Sequence, residues 1–220
     1  MKRSMNFSTR SFTAWAFGMA LAAVSGAASA ALLYQQLPDQ LNGYAANPII
    51  SGQQVADDFT LNSTASIETI AWWGTYFDPQ TADNFLLRIY SDVNGTGTVL
   101  ETFSVGATVT PASTTQLIAS TFDEYEYVFT LASPVNLSAG TYFLYIENLG
   151  SSDWFWESSS TGNDLIWVRS GEGVTWASNP DDLAFRLTGT PAQIPEPGSL
   201  ALLLLAGTVL GLSRCRPLAG

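Results

Sequence analysis

Glu124-Tyr125-Glu126-Tyr127-Val128-Phe129-Thr130-Leu131 alternates residue by residue. Tyr125, Tyr127, Phe129 and Leu131 fall on one face, and Glu126, Val128 and Thr130 on the other. That is the period of a pleated strand with one face on a core, whereas a helix would scatter the four apolar positions around its axis. The same period continues outward in both directions. Upstream, Val55 to Leu61, Ile67 to Phe77, Asn84 to Tyr90 and Val99 to Val105 read as strands, following a turn-rich lead from Pro38 to Pro48. Between the last two, Ser91 to Gly97 reads as a hairpin turn with Asn94-Gly95 at its positive-φ positions. Thr115 to Phe122 precedes the opening stretch. Thr141 to Glu147, Trp154 to Glu157, Leu165 to Arg169, Val174 to Ala177 and Leu183 to Thr188 follow it, with Ser133-Pro134 and Ser138-Ala139-Gly140 as punctuation. In the last strand Leu183, Phe185 and Leu187 share the inward face. Short strands with turn signals every 8 to 12 residues or so predict an all-β domain over residues 31–190, an antiparallel β-sandwich of jelly-roll-like form, with a closed barrel as the alternative.

Both ends of the chain have a different character. Lys2, Arg3 and Arg10 form a positive region, Trp15 to Val24 an apolar core, and Ala28-Ser29-Ala30 a small-residue cleavage pattern, so residues 1–30 read as a secretory signal peptide. At the other end, residues 191–199 form a linker holding Pro195-Glu196-Pro197. An apolar run from Leu200 to Leu212 follows, and then Arg214 and Arg216. The run is 13 residues, about 20 Å as a helix, with no polar face apart from Thr208. By length alone it would suit a buried terminal helix. The missing polar face and the arginines behind it point instead to insertion in a membrane, with the basic end cytoplasmic.

The triplet, the hydrophobic helix and the terminal arginines, in that order and spacing, resemble the PEP-CTERM sorting signal of exported proteins in Gram-negative bacteria. Cys215 between the arginines and Pro217 to Gly220 beyond them depart from the family pattern. The resemblance implies an exosortase-type membrane enzyme as processing partner, transient residence in the inner membrane, and delivery to the cell surface or extracellular matrix.

Charge is distributed unevenly between these parts. After residue 30 and before the tail only Arg88, Arg169 and Arg186 remain as cations, against 19 acidic residues, a formal charge of −16 with no lysine. Such a chain is repelled by phosphate backbones, which argues against nucleic acid as a partner. Cys215, in the tail, is the single cysteine, so the domain is held by burial and not by disulfides.

The chain has no histidine, which excludes His-based triads and zinc sites in their ordinary forms. Carboxylate chemistry survives, and a carbohydrate-active hydrolase using two paired acids is the alternative reading of function. Binding is the leading one. Trp72, Trp73, Trp154, Trp156, Trp167 and Trp176 give many flat apolar faces on which sugar rings stack. Trp154 and Trp156, two apart in a polar segment, are expected to form an exposed platform for extracellular polysaccharide. No cofactor is required, but structural calcium is a further expectation. Asp57 and Asp58 on an early strand and Asp181 and Asp182 before the last would supply oxygen ligands if those strands pair. Asp92-Val93-Asn94 begins like a calcium loop, yet Phe103 stands where the closing glutamate would be needed. The expectation is a non-enzymatic exported surface or matrix protein with an adhesive or glycan-binding role.

Overall fold

The computed structural model describes residues 30–77 and 82–192. The signal peptide, the Pro195-Glu196-Pro197 triplet, the run from Leu200 to Leu212, and Arg214 with Arg216 lie outside the described residues.

Among the described residues the chain forms strands and no helix. In order they are β1 (Ala31–Gln36), β2 (Pro38–Ala45), β3 (Gln54–Leu61), β4 (Ala65–Tyr76), β5 (Phe85–Asp92), β6 (Thr98–Gly106) and β7 (Ala112–Ile118). The second half supplies β8 (Phe122–Leu137), β9 (Gly140–Asn148), β10 (Trp154–Ser159), β11 (Ile166–Arg169), β12 (Ala177–Asn179), β13 (Asp182–Leu183) and β14 (Phe185–Pro191). An eight-stranded sheet runs β1-β14-β4-β10-β13, with β2 added on β10 and β8 and β7 added beside β4. A six-stranded sheet runs β12-β11-β3-β9-β5-β6. All pairings are antiparallel. The two sheets close on one apolar core, which makes the fold sandwich-like.

Alternation sets which residues enter that core. Leu183, Phe185 and Leu187 are fully buried, as their spacing predicts, and so is Tyr127. Trp72 stacks on Tyr127 with ring centroids 5.4 Å apart, and Phe85 meets Trp154 edge to face at 5.1 Å. The expected exposed platform is not formed: Trp154 and Trp156 are both 0% exposed. They share a face, but β10 is flanked by β4 and β2, and that face is the inner one. The polar residues before the pair belong to the turn that leads into the strand, while Ser158 and Ser159 after it are buried within the strand itself. Gly74, opposite Trp156, makes room for the neighbouring indole, since a Cβ there would lie 2.5 Å from Trp154.

Asp57 also faces inward and is fully buried. Its Oδ2 accepts from the Leu183 amide at 2.7 Å and its Oδ1 from the Asp58 amide at 2.7 Å, so one carboxyl of β3 bridges to the opposite sheet. Burial, against the pull of the Leu183 amide, pushes this acid well above the usual carboxylate range.

Candidate functional site

On the outer face of the eight-stranded sheet the same alternation leaves a hollow. Trp154 and Trp156 point inward, so Phe155 and Glu157 point outward. Phe155 pairs with Thr75 on β4 and with Ala45 on β2, and Glu157 pairs with Gly43. Gly43 lets β2 cross low over β10: an added Cβ would lie 3.1 Å from the Trp156 carbonyl and 3.3 Å from the Phe155 Cβ. The resulting slot, about 140 Å³, has Gly43, Thr75 and Phe155 at its base, Leu41 and Asn42 on one wall, and Phe77, Ile118 and Phe122 on the other. Phe77 and Phe122 lie 5.7 Å apart, and neither Leu41, 71% exposed, nor Phe77, 64% exposed, is satisfied by the fold itself. Among the described residues no charged side chain lines it.

A buried acid pair underlies the wall. Glu157 and Glu124 are 0% and 2% exposed. Gln40 bridges them, its backbone amide donating to Glu157 Oε1 at 3.0 Å and its side-chain amide to Glu124 Oε1 at 2.8 Å. The Gln40 carbonyl accepts from the Ala119 amide at 2.9 Å, which ties β2 to the turn between β7 and β8. Burial first, then the charge of Glu124, pushes Glu157 up to about 9. Glu157 Oε2 meets no donor, and protonation converts that oxygen into a donor toward Glu124. A sugar hydrolase needs its carboxyls about 5–10 Å apart with substrate between them. These two lie against each other, and Gln40 binds both, so this pair does not have that form.

The predicted calcium residues are only partly brought together. Burial is the larger cause at both Asp57 and Asp58, but Asp58 and Asp182 do come close enough to Asp57 to raise its affinity for protons, and Asp182 does the same to Asp58. Their strands do not pair, because β3 and β13 belong to opposite sheets. The carboxylate oxygens are also taken: Asp58 accepts from the Asn163 side chain at 2.9 Å, and Asp182 from the amides of Asn163 and Asp164, each at 3.0 Å. Asp181 accepts from the Asp182 amide at 2.9 Å and faces Tyr44. Among the described residues no group of three or more acids is arranged to hold a metal ion.

The outer face of the six-stranded sheet is built differently. Tyr90 of β5, Tyr145 of β9 and Ala56 of β3 are covered by Trp176, which precedes β12. The Trp176 amide and indole donate to the carbonyls of Gly95 and Thr96, in the turn between β5 and β6. Arg169 stacks on Trp176 at 4.3 Å and donates to Gln54, Thr96, Tyr90 and Glu172. Arg88 joins it on Glu172 at 2.8 Å. Beside this cluster Trp167 and Phe143 meet edge to face at 4.8 Å, half-buried.

Fold and site together define an antiparallel β-sandwich with one outer face covered by Trp176 and Arg169 and one outer face carrying an open aromatic slot. The chain belongs to the family described as Domain of unknown function (DUF7901), whose model matches residues 32–188. No curated protein and no solved structure matches it.

Proposed function

We propose that this is an exported surface or extracellular-matrix protein, sorted through its PEP-CTERM tail and acting without catalysis, by adhesion or glycan binding through the slot on the eight-stranded sheet. The carrying observation is the slot itself, where Phe77, Phe122 and Phe155 surround a hollow of about 140 Å³ with the Asn42 side chain at its rim. Flat apolar rings with a few polar groups suit the apolar face of a sugar ring. The sandwich is read as jelly-roll-like, since both sheets join strands distant in sequence, such as β3 with β9 and β4 with β10. The tail supplies delivery: Leu200 to Leu212 would partition into the inner membrane, Arg214 and Arg216 hold the end cytoplasmic, and Pro195-Glu196-Pro197 is presented to an exosortase-type enzyme.

Retention on a panel of matrix polysaccharides, with sugar release followed in the same tubes, tests the binding reading. Retention without release is expected, weakened up to about tenfold for each phenyl ring removed, because one aromatic contact contributes about 0.5–1.5 kcal/mol. Release of sugar would favour a hydrolase. Intact mass from the envelope and matrix fractions of the host tests sorting. A chain beginning near Ala31 and ending near Pro197 is expected, and one that retains Leu200 to Gly220 would overturn it.

A further inference from the structure

The slot's wall is held along β10, where the Asn42 carbonyl accepts from Ser158 Oγ at 3.0 Å, and through Asp39, whose carboxylate accepts from the Leu41 amide at 2.9 Å; its third hold, at Gln40, is of another kind. Leu41 and Asn42 are exposed and follow Gln40, which sits at φ +60, a left-handed conformation unfavourable for a residue with a Cβ. What holds Gln40 there is its grip on three partners: Glu157, Glu124 and the Ala119 amide. Two of the three are carboxyl groups sealed from water and in contact with each other. Two ionised carboxylates cannot remain so, since each would lose hydration and face a like charge in a low dielectric.

We propose that Glu157, buried against Glu124 with Gln40 bound to both, keeps its proton, and that this proton latches Gln40 and with it the wall of the slot, so that the slot loses its ligand when Glu157 is forced to ionise. The inference rests on the slot being the binding site and adds its regulation. The charged groups facing Glu157 are Glu124 from β8 and Asp39 from β2. Asp39 is steadied by Ser158 Oγ at 2.9 Å. From β4, Thr75 is uncharged and donates to the Asp123 carbonyl at 2.8 Å. From β14, Arg186 is taken by Glu126 at 2.7 Å and provides no counter-charge to the pair. From β13, Asp182 is held by the Asn163 and Asp164 amides. The turn from Ala119 to Thr121 brings no charge. Loss of the proton therefore leaves two adjoining anions beneath Gln40, and Gln40, which bridges them, is the residue displaced, drawing Leu41 and Asn42 out of place. The direction agrees with the acid of Glu157 being pushed up to about 9, by burial first and by Glu124 second.

Two readouts test this on the protein. Glutamate-labelled carboxyl NMR, assigned with Glu157→Gln and Glu124→Gln, should find the Glu157 carboxyl protonated at neutral pH. It should leave in a step far above the ordinary carboxylate range, and the Gln40 amide signals should move in the same step. The neutral dye N-phenyl-1-naphthylamine should bind the slot at neutral pH and lose about tenfold or more in affinity between about pH 6 and about pH 10. In Glu157→Gln, whose amide keeps a donor toward Glu124 and has no proton to lose, affinity should stay flat. If Glu157 titrates below about pH 5, or Gln40 is indifferent to the step, or Glu157→Gln keeps the wild-type profile, the latch is overturned. Failure of the slot reading looks different. Dye binding would then be absent, or insensitive to Phe155→Ala, already at neutral pH where the latch is closed.

Discussion

The two outer faces of the sandwich use similar side chains to opposite ends. On the six-stranded sheet, Trp176 lies over Tyr90 and Tyr145, Arg169 lies over Trp176, and the arginine's donors reach Gln54, Thr96, Tyr90 and Glu172. That face is filled by the chain's own loop. On the eight-stranded sheet, Phe77 and Leu41 stand exposed around a hollow, and the nearby polar groups are committed to holding the wall and not to closing it. Counting aromatics therefore does not locate a binding face. An indole or guanidinium whose partners are all internal is structural, while a phenyl ring whose face meets only water remains available to a ligand.

The largest effect expected from this contrast is on stability. Trp176→Ala should cost about 3–5 kcal/mol in denaturant unfolding, since it removes the cover from a small core. Phe77→Ala should stay within about 0.5 kcal/mol of wild type while still weakening polysaccharide retention. If the two substitutions cost the same, the distinction between a filled and an open face fails.

Next is the pH dependence, which should run in opposite directions on the two faces. Glu157 is raised to about 9 in the folded protein from 4.5, so its contribution is fully present below about 4.5 and is lost as pH climbs toward 9. One proton held only in the folded state gives a slope of about 1.4 kcal/mol per pH unit across that window. Glu172 is lowered: burial opposes the shift, but the Arg88 hydrogen bond and the charges of Arg88 and Arg169 outweigh it. Its contribution is present above the ordinary glutamate value and is lost as pH falls below it. Denaturant unfolding across pH should show the alkaline slope reduced in Glu157→Gln and unaffected in Glu172→Gln.

A smaller effect is expected at Gly43. Valine there would bring a Cβ against the Trp156 carbonyl and Phe155, costing about 1–3 kcal/mol by overpacking and occupying the slot floor. Retention on polysaccharide should fall more than stability does. Smallest of all, Glu172→Gln at neutral pH should cost under about 1 kcal/mol, because the carboxylate is 64% exposed and its ion pairs are screened.

Much of the fold was legible where alternation was clean. The inward set of Leu183, Phe185 and Leu187 is as its period predicts, and so are buried Tyr127 and Leu131 against exposed Val128 and Thr130. β1 and β2 were missed: Pro38-Asp39-Gln40-Leu41-Asn42-Gly43 has the composition of a turn and becomes a strand only because β10 offers it an edge. Ser133-Pro134 reads as a stop, yet it lies within β8, where the register against β4 shifts between Ile67 and Thr69 and absorbs the proline as a bulge. At the turn between β5 and β6 the positive φ angles fall on Gly95 and Gly97, not on Asn94. The site was less legible than the fold. Phe155, hidden between two tryptophans, and Glu124, assigned by period to an outer polar face, acquire their roles from β2 and the turn between β7 and β8, which cross that face from elsewhere in the sequence. Local spacing carries no trace of such a cover.

The central claim is that recognition belongs to the slot and not to the other exposed aromatics. Retention of Phe155→Ala and Trp167→Ala on the host's own matrix polysaccharide, measured side by side with wild type, tests it most directly. Phe155→Ala should lose retention about tenfold while Trp167→Ala keeps it. Loss in Trp167→Ala with Phe155→Ala unchanged would move the site to the six-stranded sheet and contradict the account.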